Sequence, residues 1–252
     1  MKLGLVTYNV GRDWDIDTII EKLGAAGFEA VELRSTHRHG VEPGLGPAET
    51  AAVRSRFEGS GVRLLSLGSA CEFHSPDEQE RLANVRETAR FVELAHDLGC
   101  LGVKVRPNGL PEDVPREVTI RRIGEALRAC GDHAERYGVE IWVEVHGRGT
   151  RQPEAMRAIM DSCGHPAVGI CWNSNPTDIR EGSIRSAFEL LKGFIRNVHI
   201  RDLPDYPHRE LFGLLKSIGF RRYTLVETAQ SCEPDRYLRY YAALWRELVR
   251  SA

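Results

Sequence analysis

Four polar side chains stand at the ends of apolar, β-branched stretches in the second half of the sequence. They are Glu144, Asn173, His199 and Glu227. A carboxylate in such a stretch is costly to bury unless a cation meets it. Carboxylate oxygens, amide oxygens and imidazole nitrogens are also ordinary ligands of divalent metal ions. We therefore expect the four side chains to share one pocket, with a divalent metal at its centre.

Each of these residues also has a purely structural interpretation. Glu144 or Glu227 would make a salt bridge at the rim of the fold, and His199 would be a hydrogen-bonded core residue. Asn173 would make turn hydrogen bonds, as Asn often does at the end of a strand. As a ligand, Asn173 offers one neutral carbonyl oxygen, which suits Mg²⁺ or Mn²⁺ better than Zn²⁺. Because Glu144 and Glu227 both stand at the end of a predicted strand, we favour a metal site over these structural roles.

Cationic and imidazole side chains also stand at or beside the ends of predicted strands. They are His37, His39, His74, Lys104, Arg106 and His146. Lys104 and Arg106 share one face of a regular strand. Buried cations are seldom unpaired, so this pair neutralises the carboxylates or grips an anionic or hydroxyl-rich ligand. We interpret His37, His74, Lys104, Arg106 and His146 as substrate contacts, with a solvated rim as the alternative for the histidines of strand two.

Strands and helices that would position these residues alternate along the whole chain. Predicted strands span 3–8, 30–34, 62–67, 101–106, 139–146, 168–173, 195–200 and 222–228. Predicted helices span 15–26, 47–60, 76–98, 115–137, 152–163, 181–192, 208–218 and 234–250. The helices typically end near a glycine, for example Gly27, Gly164 and Gly193, where a left-handed residue is expected.

Eight such units, of roughly thirty residues each, predict a single (β/α)₈ barrel, a TIM barrel of class α/β, as one domain over residues 1–252. An open doubly wound sheet is the competing fold, but it usually carries a glycine-rich phosphate turn after its first strand. The corresponding turn here, Thr7–Gly11, holds one glycine. In a parallel barrel, chemistry takes place at the carboxyl ends of the strands, where the polar residues stand.

Composition excludes several classes of function. The formal net charge of −2 gives no general basic surface, so we expect no nucleic-acid partner. No apolar run reaches the ~18 residues of a membrane span, and the apolar run after Met1 is too short for a signal peptide. Six scattered cysteines without a C-x-x-C pair predict reduced thiols and a cytoplasmic location.

Seven short motifs lie along the sequence: Trp142-Val-Glu144, Val168-Gly-Ile-Cys-Trp-Asn173, His199-Ile-Arg-Asp202, Leu225-Val-Glu227, Val31-Glu-Leu-Arg34, Leu67–His74 and Gly102–Pro107. With these motifs the sequence resembles the sugar phosphate isomerase/epimerase family of xylose isomerase-like TIM barrels. The resemblance extends over essentially the whole chain. It implies one Mn²⁺, Mg²⁺, Co²⁺ or Zn²⁺ ion per chain, held by one residue from each of strands five to eight.

Two departures from the family pattern stand out. Asn173 occupies the position of the usual aspartate, often found in an Asp-x-x-His pattern, which removes one ligand carboxylate. A Pro-Gly-x-Gly segment after strand seven is replaced by Asp205–Gly213, in which Arg209 is a candidate sugar contact.

The resemblance implies an isomerase or epimerase of a small sugar, keto-sugar or polyol. Glu144 and Glu227 would move the proton α to a carbonyl through a metal-stabilised enediolate. A dehydratase on a keto-polyol and a metal-free sugar-binding barrel with a degraded site are the alternatives. The family's nucleases need more metal ligands and a basic DNA-binding face, which Asn173 and the charge balance argue against. Whether the chain forms a homo-oligomer stays open.

Overall fold

Eight parallel strands close into a barrel in the computed structural model, which describes residues 1–252. The strands are β1 (Lys2–Val6), β2 (Ala30–Arg34), β3 (Arg63–Glu72), β4 (Gly102–Arg106), β5 (Glu140–Glu144), β6 (Val168–Trp172), β7 (Ile195–Ile200) and β8 (Tyr223–Val226). The helices are α1 (Ile16–Ala26), α2 (Pro47–Glu58), α3 (Glu78–Asp97), α4 (Arg116–Arg136), α5 (Pro153–Cys163), α6 (Arg185–Leu191), α7 (His208–Ser217) and α8 (Pro234–Ser251).

The first and last strands pair with each other and leave the sheet without an edge. Lys2 is in register with Tyr223, and Leu5 with Val226. Every strand otherwise pairs with its neighbours in chain order. The predicted (β/α)₈ barrel is therefore confirmed, and the open doubly wound sheet is excluded.

Two predicted elements have different limits in the structure. Strand β3 continues to Glu72, beyond the predicted end at residue 67, because after an irregularity it pairs again with β4 through Glu72 and Arg106. Helix α6 begins only at Arg185, because Arg180 and Ser183 form a small bridge before it.

Glycine ends several helices as predicted, but not all of them. Gly27 follows α1 with φ 74°, and Gly164 follows α5 with φ 54°. The prediction for Gly193 is wrong: it lies inside a 3₁₀ turn, Lys192–Phe194, which carries the chain from α6 into β7. A right-handed turn of this kind needs no left-handed residue.

Alternation along the strands divides the barrel interior into layers. On β5 the side chains of Glu140, Trp142 and Glu144 point the same way because they are two residues apart. Trp142 belongs to a small apolar cluster that includes Leu65 and Leu225. The larger apolar core lies between strands and helices. The charged side chains at the carboxyl ends of the strands thus lie next to an apolar layer in the barrel interior.

None of the helices combines the length and the apolar character needed to cross a membrane. All six cysteines have free thiols; five are buried, and Cys232 is exposed.

Candidate active site

Four strand ends bring the predicted metal ligands together. Donor atoms of Glu144, His199 and Glu227 all lie within 4.8 Å of one another. Asn173 joins them, because its Nδ2 donates a hydrogen bond to Glu144 Oε1 at 2.9 Å. Glu144 ends β5, Asn173 follows β6, His199 lies in β7 and Glu227 follows β8. Parallel pairing therefore delivers all four to one end of the barrel.

Glu144 carries a buried counter-charge. Lys104 Nζ, from β4, donates to Glu144 Oε2 at 2.8 Å, and the two side chains are 4% and 5% exposed. Burial opposes ionisation of Glu144, but the Lys104 ammonium lowers the pKa of the carboxyl below its usual value. Burial likewise opposes the ammonium, but Glu144 raises the pKa of Lys104. Both groups are charged at neutral pH.

His199 lies between two carboxylates and is fully buried. Its Nε2 is 3.4 Å from Glu32 Oε1, and its Nδ1 is 3.6 Å from Glu227 Oε2. Burial opposes the imidazolium form, yet the Cys171 thiol and the Glu32 carboxylate beside the ring raise the pKa of His199 well above its usual value. The imidazole thus has a carboxylate on each side of its ring.

Glu32 is a member of this cluster that was not among the residues predicted from the sequence. It lies in β2, is completely buried and accepts a hydrogen bond from Ser66 Oγ at 2.8 Å. The signal was present, because a carboxylate inside the apolar strand Ala30–Arg34 is the pattern that identified Glu144. Glu32 was not predicted as a site residue because it lies in the middle of its strand rather than at its end.

The donor set fits a divalent cation. Asn173 Oδ1 and both ring nitrogens of His199 are buried without a hydrogen-bond partner. Buried polar atoms without partners cost free energy, and a cation would satisfy the oxygen of Asn173 and one ring nitrogen of His199. Two carboxylates, one amide oxygen and one imidazole nitrogen suit the mixed oxygen and nitrogen ligation of Mn²⁺ or Mg²⁺. The four residues that would hold the metal are Glu144, Asn173, His199 and Glu227.

A cavity of about 580 Å³ opens above these residues at the carboxyl ends of the strands. Six predicted site residues line it: Lys104, Arg106, Glu144, His146, Asn173 and Glu227. Further lining comes from residues without a predicted role, among them Tyr8, Asn9, Arg34, Arg201 and Thr228. This volume suits a small ligand.

Two of the predicted substrate contacts are held by neighbouring side chains at the cavity wall. Arg106 Nη2 is 2.6 Å from Glu72 Oε1. His146 Nδ1 is 2.8 Å from Asn108 Oδ1. These partners fix the two side chains in place before a ligand arrives.

Three predicted substrate contacts lie away from the cavity lining. His37 is half-buried beside His39, with ring centroids 6.2 Å apart. His74 borders a separate groove with Arg148. Arg209 is exposed in the first turn of α7 and forms no ion pair. Their contacts with a substrate stay predictions.

The fold is a closed (β/α)₈ barrel, and a histidine and several carboxylates meet at the carboxyl ends of its strands. This is the architecture of a TIM-barrel active site. The family model described as xylose isomerase-like TIM barrel matches residues 20–248, so this chain belongs to that family. The sequence matches no curated protein.

Solved structures of similar fold include sugar epimerases. The 3-keto-D-glucoside 4-epimerase YcjR of E. coli, in its apo form, has a TM-score of 0.81 at 16% identity, with 100% of each chain covered. The D-psicose 3-epimerase of Clostridium cellulolyticum H10, crystallised with D-tagatose, has a TM-score of 0.83 at 17% identity, with 99% of each chain covered. The IOLI protein with a bound zinc atom has a TM-score of 0.79 at 19% identity, covering 99% of this chain and 98% of its own. At these identities the likeness establishes the fold.

Proposed function

We propose that this chain is a divalent-metal-dependent isomerase or epimerase of a small sugar, keto-sugar or polyol. The observation that carries the proposal is the convergence of Glu144, His199 and Glu227 within 4.8 Å beneath the cavity. Keto-sugars are the favoured substrates, because the similar structures include a 3-keto-glucoside 4-epimerase and a D-psicose 3-epimerase.

Glu144, Asn173, His199 and Glu227 would hold the metal. When bound, the metal would act as a Lewis acid on the substrate carbonyl and acidify the neighbouring C–H bond. Asn173 Oδ1 supports this assignment, since it is a buried acceptor that nothing in the protein satisfies.

Glu227 is the proposed base. Its side chain is 19% exposed and lines the cavity, whereas Glu144 is 5% exposed and tied to Lys104. Glu227 would remove the proton α to the carbonyl. The proton returned on the other side of the substrate would pass from the Lys104 ammonium through the carboxylate of Glu144, which already accepts a hydrogen bond from that ammonium. Return to the opposite face of the same carbon gives an epimer, and return to the adjacent carbon gives an isomer.

The cationic and imidazole side chains of the wall would orient the substrate. Lys104 can donate to a substrate oxygen and to Glu144 at the same time, because an ammonium has three donors. Arg106 and His146 face the cavity and would bind hydroxyl groups. In this division the cationic and imidazole side chains bind the substrate, and the two glutamates move its proton.

Incubation of the protein with Mn²⁺ and a panel of keto-sugars and inosose-like polyols in D₂O tests the proposal. We expect deuterium from solvent to appear at the carbon next to the carbonyl, and EDTA to stop its incorporation. Deuterium accompanied by loss of water would identify a dehydratase instead. A panel without any incorporation, in protein shown to hold Mn²⁺, would contradict proton abstraction as the chemistry of this site.

A metal-free sugar-binding barrel is the second candidate, and one observation favours it. Both oxygens of Glu144 already have partners, Lys104 Nζ at 2.8 Å and Asn173 Nδ2 at 2.9 Å. A protein of this kind would purify without metal, and its melting temperature would not respond to EDTA or Mn²⁺. Metal analysis of the purified protein together with a melting curve separates the two candidates.

A further inference from the structure

We propose that Glu32 is a positioning residue that fixes His199 for metal binding. By holding the proton on Nε2, Glu32 would leave the lone pair of Nδ1 directed at the metal. This inference rests on the metal site of the proposed function and adds to it a residue from β2, on the other side of the barrel from the predicted ligands.

The two ring nitrogens of His199 have different neighbours. Nε2 lies 3.4 Å from Glu32 Oε1, and Nδ1 lies 3.6 Å from Glu227 Oε2. Glu227 is a proposed ligand and lines the cavity, whereas Glu32 has no exposure and does not reach it. Nδ1 is therefore the nitrogen on the metal side of the ring, and Nε2 is the nitrogen on the barrel side.

The carboxylate of Glu32 is itself held in place from β3. Ser66 Oγ donates to Glu32 Oε2 at 2.8 Å, which leaves Oε1 to face the ring. Gly68, two residues further along, provides the space for that oxygen: a Cβ at Gly68 would stand 2.9 Å from Glu32 Oε1. Oε1 and His199 Nε2 are 3.4 Å apart, and neither atom has a hydrogen-bond partner. The Ser66 hydroxyl and the space at Gly68 thus place Oε1 of Glu32 next to the ring of His199.

Imidazole chemistry makes this arrangement useful to a metal. A neutral imidazole has one N–H and one lone pair, so a metal ligand must carry its proton on the nitrogen away from the metal. A carboxylate that accepts this N–H fixes both the tautomer and the plane of the ring, and it makes the metal-bound nitrogen more basic. Glu32 supplies this acceptor from within the barrel.

Two variants test the role of Glu32 through Mn²⁺ affinity, measured by calorimetric titration. Glu32→Gln weakens the acceptor, and we expect the Kd for Mn²⁺ to rise about 10- to 100-fold. Gly68→Ala keeps every charge and pushes Oε1 away from the ring, so we expect a rise of about 10-fold. Glu140→Gln, at the opposite end of the barrel interior, and Gly24→Ala, which contacts nothing, are the matched controls and should bind Mn²⁺ as the wild type does.

A spectroscopic measurement separates positioning from a merely structural role. In Zn²⁺-loaded protein with ¹⁵N-labelled histidine, we expect His199 to show a protonated Nε2 and a metal-bound Nδ1. In Gly68→Ala, the Nε2–H resonance should shift or exchange faster with solvent, while the circular dichroism of the fold stays unchanged.

The outcomes distinguish this inference from the proposed function. Wild-type protein that binds neither metal would overturn both. Mn²⁺ binding by the wild type, with unchanged affinity in a folded Glu32→Gln or Gly68→Ala variant, would overturn only the role of Glu32. Metal bound to Nε2 would do the same. Because no measurement uses a sugar, failure to find a substrate leaves the test of Glu32 intact.

Discussion

The ammonium of Lys104 contacts the carboxylate of Glu144 at 2.8 Å, so one proposed metal ligand has a protein cation beside it before any metal binds. An ammonium and a metal ion next to the same carboxylate repel each other. Lys104 therefore has two opposing effects: it stabilises the metal-free fold, and it lowers the affinity of the site for metal.

Lys104→Met tests this double effect. Loss of one partner of a buried ion pair typically costs about 3–5 kcal/mol, so metal-free Lys104→Met should be less stable by that order. Mn²⁺ should restore part of the loss, and the rise in melting temperature on adding Mn²⁺ should exceed that of the wild type. Thermal unfolding in EDTA and in Mn²⁺ measures both effects.

Lys22→Met is the control for that experiment, since Lys22 pairs with Asp235 on the surface at 2.6 Å. Its removal should change the free energy of unfolding by less than about 1 kcal/mol, with no dependence on Mn²⁺. An equal loss of stability with and without Mn²⁺ in Lys104→Met would show that the ammonium does not oppose the metal.

Asn173→Asp restores the carboxylate that the family usually has at this position. The variant should bind Mn²⁺ about 10-fold more tightly, which corresponds to about 1.4 kcal/mol. Without metal it should unfold at lower temperature, because the hydrogen bond from Asn173 Nδ2 to Glu144 is replaced by repulsion between two carboxylates. Calorimetric titration and melting curves report the two changes. If neither protein binds Mn²⁺, the metal site is refuted.

Glu227→Gln should slow proton transfer and spare the fold. We expect the rate of deuterium incorporation into a turned-over substrate to fall by about 10²- to 10⁴-fold, the usual contribution of a general base. Glu233→Gln removes an exposed carboxylate that pairs with Arg236 in the region after β8, and its exchange rate should equal that of the wild type. Retention of most of the rate in Glu227→Gln would assign the base elsewhere.

Asp178 predicts a pH dependence of stability. Burial raises the pKa of Asp178 from 3.8 to about 6, although hydrogen bonds from the Tyr206 hydroxyl and the Asn175 amide oppose the shift. Because the folded value lies above the unfolded one, folding favours the protonated acid. The resulting stabilisation is complete below about pH 4 and is lost as the pH rises through 6.

Asp178→Asn stays neutral at every pH and should therefore lack this loss. Relative to the wild type, the variant should gain up to about 3 kcal/mol of unfolding free energy between pH 4 and pH 7. Urea unfolding at four pH values in this interval measures the gain. Asp161→Asn, which alters an exposed pair with Arg157, should follow the wild type. Parallel curves for Asp178→Asn and wild type would exclude the raised pKa.

Much of the fold was predictable from the sequence because the signals are local. Strand runs such as Val168–Trp172 and helix-ending glycines such as Gly27 depend on neighbours in the chain. The extension of β3 to Glu72 was not predictable in the same way, since it follows from pairing with Arg106 of β4. Helix α6 began late for a related reason, the bridge between Arg180 and Ser183.

In the site, the sequence predicted which strand ends meet, but not which side chains face the cavity. Glu144 and Glu227 stand at strand ends, where the fold alone places them together. His74 follows a strand too, yet it borders another groove, because the path of the chain after β3 decides its direction. Glu32 was not predicted because it lies in the middle of β2, and only the folded barrel brings it to His199, which is distant in sequence.

The pairing of the first strand with the last has a consequence for synthesis of the protein. Lys2 and Thr224, which are joined by a hydrogen bond, are 222 residues apart, so the barrel cannot close until β8 has left the ribosome. Until then β1 and the most recently made strand have open edges, which are templates for pairing with other chains. Glu227 follows the last strand, and the nascent chain therefore acquires its proposed base only as the barrel closes.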